Sequence, residues 1–410
     1  MNSKKIIGII ELGDLNINCL IANTNNNEAE ILSTSTVKSE GFNNNVVTNL
    51  SKATNSIRSC ISDAERKANI TLKKINIIFE QPDFLCTTFS KHKKIDGSKI
   101  EKEDIDFLLK EAKKQLIQND KKQTILHIFN HNYIVDTKIF AEEPIGVYAD
   151  SLTHEITFIT IPKNNVKNIN QVFMDCDIEI ERLISRTFAL GVQLFNEKEL
   201  QFGSALVDLD FEKTSLGIFK NFTLVHSITF PIGINHITKD ISKVCSLSID
   251  ESENIKNDFI FSFENKKKIF DNKNYLNNRY FTKSNFRKIS DKLITNVIKA
   301  RLDEILDNLK KQLVVPGLSL NSGINFLVTG EGSKLLGIEK YFFKFFQSNI
   351  QLINKEKEVE INEKSLVKNL TAGLGALKII KDGWETEAIP KITNKNIGKI
   401  GFFAKIFKFD

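Results

Sequence analysis

Apolar positions along this chain recur in two rhythms, short β-branched runs and longer stripes spaced three or four residues apart. The runs KKIIGIIELG and INCLIAN open the chain and are broken by Gly13 and Asp14, a pattern that predicts two strands joined by a tight turn. A stripe of Leu50, Ala53, Ile57, Cys60, Ile61 and Ala64 predicts a helix over about 49–68, and INIIFE (Ile75 to Glu80) then reads as a strand. Residues 83–162 read as a compact α+β insert: a strand at TTF, a helix around Lys102 to Ile117, and strands at TILHIFNHNYIV and HEITFITIP.

The second half repeats the first in outline, which suggests an internal duplication. SALVDLDFEKTSLGIFKNFTLVHSITFPIG predicts two or three strands around a turn at Asp210 to Lys213. A long helix is expected from about Phe286 to Leu313, with Ile289, Leu293, Val297, Ala300, Leu302, Ile305 and Leu309 facing inward. Asp250 to Tyr280, rich in Lys and Asn, reads as a small surface subdomain. INFLVTGEGSKLLGIEKYF predicts a strand and a glycine turn at a helix N-terminus, where backbone N–H groups and a positive dipole end would face an anion. Lys381 to Lys395, with Trp384 and Pro390, reads as a linker.

Composition narrows the function classes. The 410 residues are 41% hydrophobic and 26% charged, enough for two or more domain cores. The net charge of +6 comes from 57 basic and 51 acidic residues interspersed along the chain, which argues against a nucleic-acid partner. Cys19, Cys60, Cys86, Cys176 and Cys245 form no C-x-x-C pair, so no zinc or thioredoxin-like spacing exists and a reducing compartment is expected. Glu11 and Asp14 interrupt the N-terminal apolar run, against a signal peptide, and no run reaches the ~18 residues of a spanning helix. His127 and His131 are four apart, but in a strand-like segment that separates them too far for a helical metal half-site.

Two strand-turn-strand units followed by a strand and glycine turn, in that order, resemble the actin-like ATPase superfamily. Within it the chain resembles the bacterial cell-division family FtsA. FPIGINHITKDIS (Phe230 to Ser242) is similar to the segment after that family's second phosphate hairpin. ILHIFNHNYIVD with EEPIGVYADSL is similar to its insert, NVIKARLDEIL to its ribose-side helix, and FLVTGEGSKLLG to its adenosine loop. The resemblance implies an α/β, actin-like (ribonuclease-H-like) two-lobed fold with an inserted α+β subdomain and a C-terminal amphipathic helix. The expected parts are 1–82 with 163–205 as the first actin-like subdomain, 83–162 as the insert, and 206–245 with 300–380 as the second actin-like subdomain. A small tip at 246–299, a linker at 381–395 and a membrane helix at 396–410 complete them. It further implies filaments of the chain itself, tethering of FtsZ through its C-terminal peptide, anionic lipid at the cytoplasmic face of the inner membrane at the division site, and other divisome proteins bound through the insert. The alternatives are an actin-fold ATPase driven by nucleotide turnover and a related membrane-associated pilus-assembly scaffold.

Mapped onto the family's nucleotide motifs, the residues depart from pattern. The first hairpin has Glu11, Gly13, Asp14 and Asn16, with a carboxylate at Asp14 where a hydroxyl would donate to phosphate. The second normally carries Asp and then glycines, because close approach to phosphate tolerates no Cβ; here Asp208 is followed by Asp210, Phe211, Glu212, Lys213 and Thr214. Gly330, Gly332 and Ser333 stand in the adenosine loop, with Glu331 replacing a glycine; on the ribose-side helix Arg301 is kept and Asn296 replaces Glu. ATP or ADP with Mg is therefore expected to bind weakly or not at all, and hydrolysis is not expected; the alternative is that Asp14, Asp210 and Glu212 point to solvent and the backbone amides still bind nucleotide. Lys283, Arg287, Lys288 and Lys292 form a basic cluster at the start of the long helix, where the family receives the FtsZ peptide.

The last fifteen residues, NIGKIGFFAKIFKFD, crowd large apolar side chains together and must bury them against something. Wound at 100° per residue, Gly398, Gly401, Lys405 and Lys408 share one narrow sector. Ile397, Ile400, Phe402, Phe403, Ile406, Phe407 and Phe409 fill most of the rest, interrupted by Lys399. Such a helix is too short to span a bilayer and fits the headgroup region instead. Each buried Ile or Phe contributes roughly 1.5 to 3 kcal/mol there and each Lys near anionic lipid about 1 kcal/mol.

Overall fold

The computed structural model describes residues 5–24, 29–259, 269–313, 325–348, 350–353 and 370–382. Two units divide the chain: 1–203, 217–228 and 369–410 form the first, and 204–216 with 229–368 the second.

The first unit opens with β1 (Lys5–Leu12) and β2 (Asn16–Thr24), the expected antiparallel hairpin, followed by β3 (Ala29–Lys38), the short β4 (Phe42–Asn43) and β5 (Val46–Val47), and α1 (Leu50–Ala68). Asn49 accepts the Lys52 N–H at the start of α1. The helix ends at Asn69 in the left-handed region, where the Asn69 and Ile70 amides satisfy its last carbonyls. β6 (Lys74–Phe79) pairs parallel to β1, and β11 (Glu179–Ser185) parallel to β6, giving the order β11-β6-β1-β2-β3. From Gly8 to Leu12, β1 is buried without alternation, as a central strand covered on both faces should be. α3 (Lys163–Met174), α4 (Arg186–Leu194) and α5 (Glu197–Phe202) complete this part.

The insert is a separate sheet in this unit, ordered β7-β10-β8-β9, from β7 (Leu85–Lys99), β8 (Gln123–Val135), β9 (Lys138–Phe140) and β10 (Tyr148–Pro162), with α2 (Lys102–Asn119) packed on it. β7 is far longer than the TTF expected. Its outer part, SKHKKIDGSK, is an edge strand rich in lysine, a composition that discourages pairing with another chain and hides the strand from an apolar pattern.

The second sheet repeats the first topology, in the order β14-β13-β12-β15-β16: β12 (Ser204–Leu209), β13 (Thr214–Lys220), β14 (Thr223–Phe230), β15 (Asn325–Thr329) and β16 (Ile350–Leu352). β15 runs parallel to β12, and β16 to β15, as β6 and β11 do around β1. The helices are α6 (Asn235–Cys245), α7 (Ile249–Asp258), α8 (Asp291–Gln312) and α9 (Ile338–Phe346).

Three expectations need correction. α8 starts at Asp291, not near Phe286, because Tyr275 bridges to Ser290, Leu276 donates to Ile289, and Ser290 caps the helix. Its buried stripe is Ile294, Ile298, Leu302, Ile305 and Leu309; Leu293 and Ala300 are exposed, because the stripe was counted from Ile289, which precedes the helix. The glycine turn does not open an α-helix: Glu331–Lys334 form a 3-10 turn, and α9 begins only after Gly337. Finally, α10 (Thr371–Asp382), expected with the second half, belongs to the first unit. It packs on α4 so closely that a Cβ on Gly375 would lie 1.9 Å from the Ala189 carbonyl oxygen.

Candidate functional site

In the second unit, the turn between β12 and β13 lies against the start of α6. A Cβ on Gly233 would stand 2.4 Å from the Phe211 oxygen and 2.5 Å from both the Asp210 oxygen and the Lys213 nitrogen, so only glycine permits this approach. The Asp210 N–H donates to the Lys213 oxygen (3.0 Å), and the Phe211 N–H to Oδ1 of Asp210 (2.9 Å). From the other side, the Ile234 and Asn235 amides donate to the oxygens of Asp210 and Phe211 (3.0 and 2.8 Å), and Thr214 Oγ1 donates to the Ile232 oxygen (2.6 Å). Glu212 accepts from Asn235 Nδ2 (2.6 Å) and Lys239 Nζ (3.0 Å), which places a carboxylate at the first turn of α6, where the helix dipole favours it. Asp208, Asp210 and Lys213 are all buried, Lys213 to 1% exposure.

A polyphosphate is held by free backbone N–H groups and glycine-bare walls, and side chains stand at Asp210, Phe211, Glu212 and Lys213 of this turn. The five amides of Asp210, Phe211, Gly233, Ile234 and Asn235 already donate within the protein. Asp210 is buried and bonded within the turn, and Glu212, partly exposed, is bonded to Asn235 and Lys239 of α6.

The glycine loop answers to the same packing. At Gly330 (φ +88°) a Cβ would meet the Leu209 oxygen at 2.5 Å and Asp208 Oδ1 at 2.6 Å, and at Gly332 it would meet the Leu209 side chain at 2.3 Å. Ser333 Oγ donates to the Gly330 oxygen (2.7 Å), and Glu331 pairs with Lys334 (2.8 Å). On α8, Arg301 is held bidentate by Asp240 (2.7 and 3.1 Å) and also bonds Glu304, while Asn296 is exposed. The sequence reading missed Glu253 and Lys256 of α7. Lys256, 1% exposed, donates to Glu253 Oε2 (2.8 Å), which also accepts from Thr238 Oγ1 (2.6 Å). Burial pulls the Lys256 ammonium below its ordinary range, against the hydrogen bond and charge of Glu253 and the charge of Glu331. The only sequence signal was an i, i+3 Glu and Lys in a polar helix, indistinguishable from a solvated pair.

In the first unit, Gly13 closes the β1–β2 turn by donating to the Asn16 oxygen (3.0 Å), and a Cβ there would lie 2.5 Å from that oxygen. Asp14 accepts from Asn45 Nδ2 at 3.4 Å, and Asn16 is exposed. Glu11 is buried and bonded to Arg186 Nε (2.8 Å), which offsets its charge. Beside them Glu80 accepts from Ser185 Oγ and the Thr187 N–H (2.8 and 2.9 Å), and His127 Nε2 accepts the Ser185 N–H (2.9 Å). His127 is thus a bonded core residue, burial holds His131 below the usual histidine range, and no metal-binding cluster occurs among the described residues.

The four residues of the basic cluster are all exposed, and three of them have partners within the second unit. Lys283 pairs with Asp250, Arg287 donates to the Ser246 oxygen, and Lys288 lies over the Tyr275 ring, its Nζ 5.8 Å from the centroid. Lys292 is exposed in the first turn of α8. Glu251 clamps the segment, accepting from the N–H groups of Lys283 and Ser284, from Ser284 Oγ and from the Ser248 N–H. Burial would raise its carboxyl, but these bonds outweigh burial and hold it well below the usual range. The tail candidates, Ile397 through Phe409 with Lys399, Lys405 and Lys408, lie outside the described residues.

Two five-stranded sheets of matching order, one interrupted by a separate α+β insert, define an actin-like ATPase fold. The family model described as "Cell division protein FtsA" matches residues 205–372, and that of the "SHS2 domain inserted in FTSA" matches 85–160, together more than half of the chain. The chain belongs to the FtsA cell-division family. It is 22% identical to the FtsA of Agrobacterium fabrum over 86% of this chain and 82% of that protein, and 24% identical to that of Neisseria meningitidis serogroup B over 84% and 82%. Among solved structures, a PilM–PilN type IV pilus biogenesis complex superposes with a TM-score of 0.60 at 12% identity, covering 91% of this chain and 98% of that one; this likeness is one of fold alone. No described helix is long and apolar enough to cross a membrane.

Proposed function

We propose that this chain is a membrane-recruiting adaptor that assembles with its own copies and tethers FtsZ filaments to the cytoplasmic face of the inner membrane, with nucleotide binding weakened and turnover lost. Membership of the FtsA family, insert included, is the observation that carries this reading. The apolar tail supports the membrane contact, and the engaged amides of the β12–β13 turn support the loss of phosphate binding. Lys288 and Lys292 are the tip residues best placed to meet an acidic peptide.

Co-sedimentation with anionic liposomes and an FtsZ C-terminal peptide tests the proposal. The full chain should carry the peptide into the pellet without added ATP, and a chain ending at Lys395 should stay folded and leave both in solution. Should the shortened chain lose several degrees of thermal stability, the tail packs on the body of the protein and the anchor is refuted.

A further inference from the structure

We propose that Asp210 and Glu212 serve as a built-in anion: their carboxylates take hydrogen bonds and charge that a nucleotide phosphate would otherwise take at the β12–β13 turn, so that the turn and the α6 N-terminus hold one fixed arrangement without ligand. The inference rests on the reading of weakened nucleotide binding and gives it a physical cause. Crowding and repulsion alone would leave the turn amides empty. Instead the Phe211 N–H is capped by the carboxylate beside it, at 2.9 Å. Glu212 sits at the α6 N-terminus and takes the Asn235 amide and the Lys239 ammonium, two donors from successive turns of one helix face.

Gly233 brings the chain before α6 into contact with the turn, so the Ile234 and Asn235 N–H groups are taken up by the backbone carbonyl oxygens of Asp210 and Phe211. Lys213 is fully buried in the same turn. In an actin-like fold, where such turns respond to a ligand, the consequence is regulatory: the segment from β12 to α6 no longer reports whether nucleotide is present, and assembly is controlled by something else, such as the concentration of the chain on a surface.

Amide hydrogen exchange on the full chain tests this. In ligand-free wild type the Phe211, Ile234 and Asn235 amides should be protected, and 1 mM Mg-ATP should change their rates by less than twofold. In Asp210→Ala/Glu212→Ala the Phe211 amide, which loses its carboxylate acceptor, should exchange about tenfold faster or more, and inorganic triphosphate should slow it again. The proposal is overturned if the wild-type amides exchange freely and Mg-ATP then protects them tenfold, a measurement that stands even if the double variant fails to fold. It is equally overturned if the folded variant keeps wild-type protection at Phe211. Protected wild-type amides together with micromolar Mg-ATP affinity by calorimetry would support the built-in anion while refuting the weak-nucleotide reading.

Discussion

His154 is a strong lever on the stability of the insert. It lies on β10 opposite Tyr133, its ring stacked on the tyrosine ring at 4.3 Å, 1% exposed, and neither ring nitrogen has a hydrogen-bond partner among the described residues. Burial, with a smaller push from the charge of Lys102, lowers its pKa from 6.5 to about 3. A depressed histidine stays neutral in the folded protein while the unfolded chain takes up a proton, so stability falls as pH drops below 6.5 and goes on falling until about pH 3. At pH 5 the unfolded chain gains RT ln(1 + 10^1.5), about 2 kcal/mol. Two unpartnered buried nitrogens cost about 2 kcal/mol more at any pH. His154→Phe keeps the stack and the volume and removes both penalties. The variant should be more stable than wild type by about 2 kcal/mol at pH 7.5 and about 4 kcal/mol at pH 5.0. Urea titration read by exchange of the β8 and β10 amides isolates the insert from the rest of the chain. If wild type and variant lose the same stability between pH 7.5 and 5.0, His154 is not the titrating group and the argument is wrong.

Three further outcomes follow from contacts described above. Glu251→Gln should release the Lys283–Ser284 segment and destabilise the second unit by about 1 to 3 kcal/mol, measured by urea denaturation; no change would mean that the four bonds are not stabilising. Gly375→Ala forces a carbon onto the Ala189 carbonyl and should cost about 1 to 3 kcal/mol or more; an unchanged melting temperature would show that α10 packs on α4 more loosely than described. Reversing Lys288 and Lys292 to Glu should weaken FtsZ-peptide affinity at low salt and hardly at high salt by fluorescence anisotropy, and equal affinity at low salt would place the peptide elsewhere.

Much of the fold was legible because its central strands are apolar and β-branched. β1, β6 and β12 declare themselves by composition, and the duplicated order follows once both hairpins are seen. β7 escaped because an edge strand carries its alternation in polar side chains. Ile289 fits the helical stripe of α8 in sequence, and only the pairing of Tyr275 with Ser290, fifteen residues apart, shows that the chain there is extended. At the turn, the sequence supplied the right residues with an incomplete cause. Asp210, Phe211, Glu212 and Lys213 stood out as intruders, but the donors that receive Glu212 lie on α6, more than twenty positions away, where no local pattern could assign them. Glu253 and Lys256 were invisible for the opposite reason: what marks them is burial, and burial is a property of the folded chain.

The return of α10 to the first unit fixes an order of events on the ribosome. Residues 204–368 are almost all second unit and are made between α4 and its partner helix. At ~5 to 20 residues per second, the face of α4 around Ala189 waits about 10 to 35 seconds for α10 to be synthesised. The second unit therefore has time to fold before the first is complete, and the first must keep an apolar groove uncovered meanwhile. In a crowded cell that delay is when a chaperone would be needed, and when a chain broken off before residue 371 would present the same groove permanently to degradation.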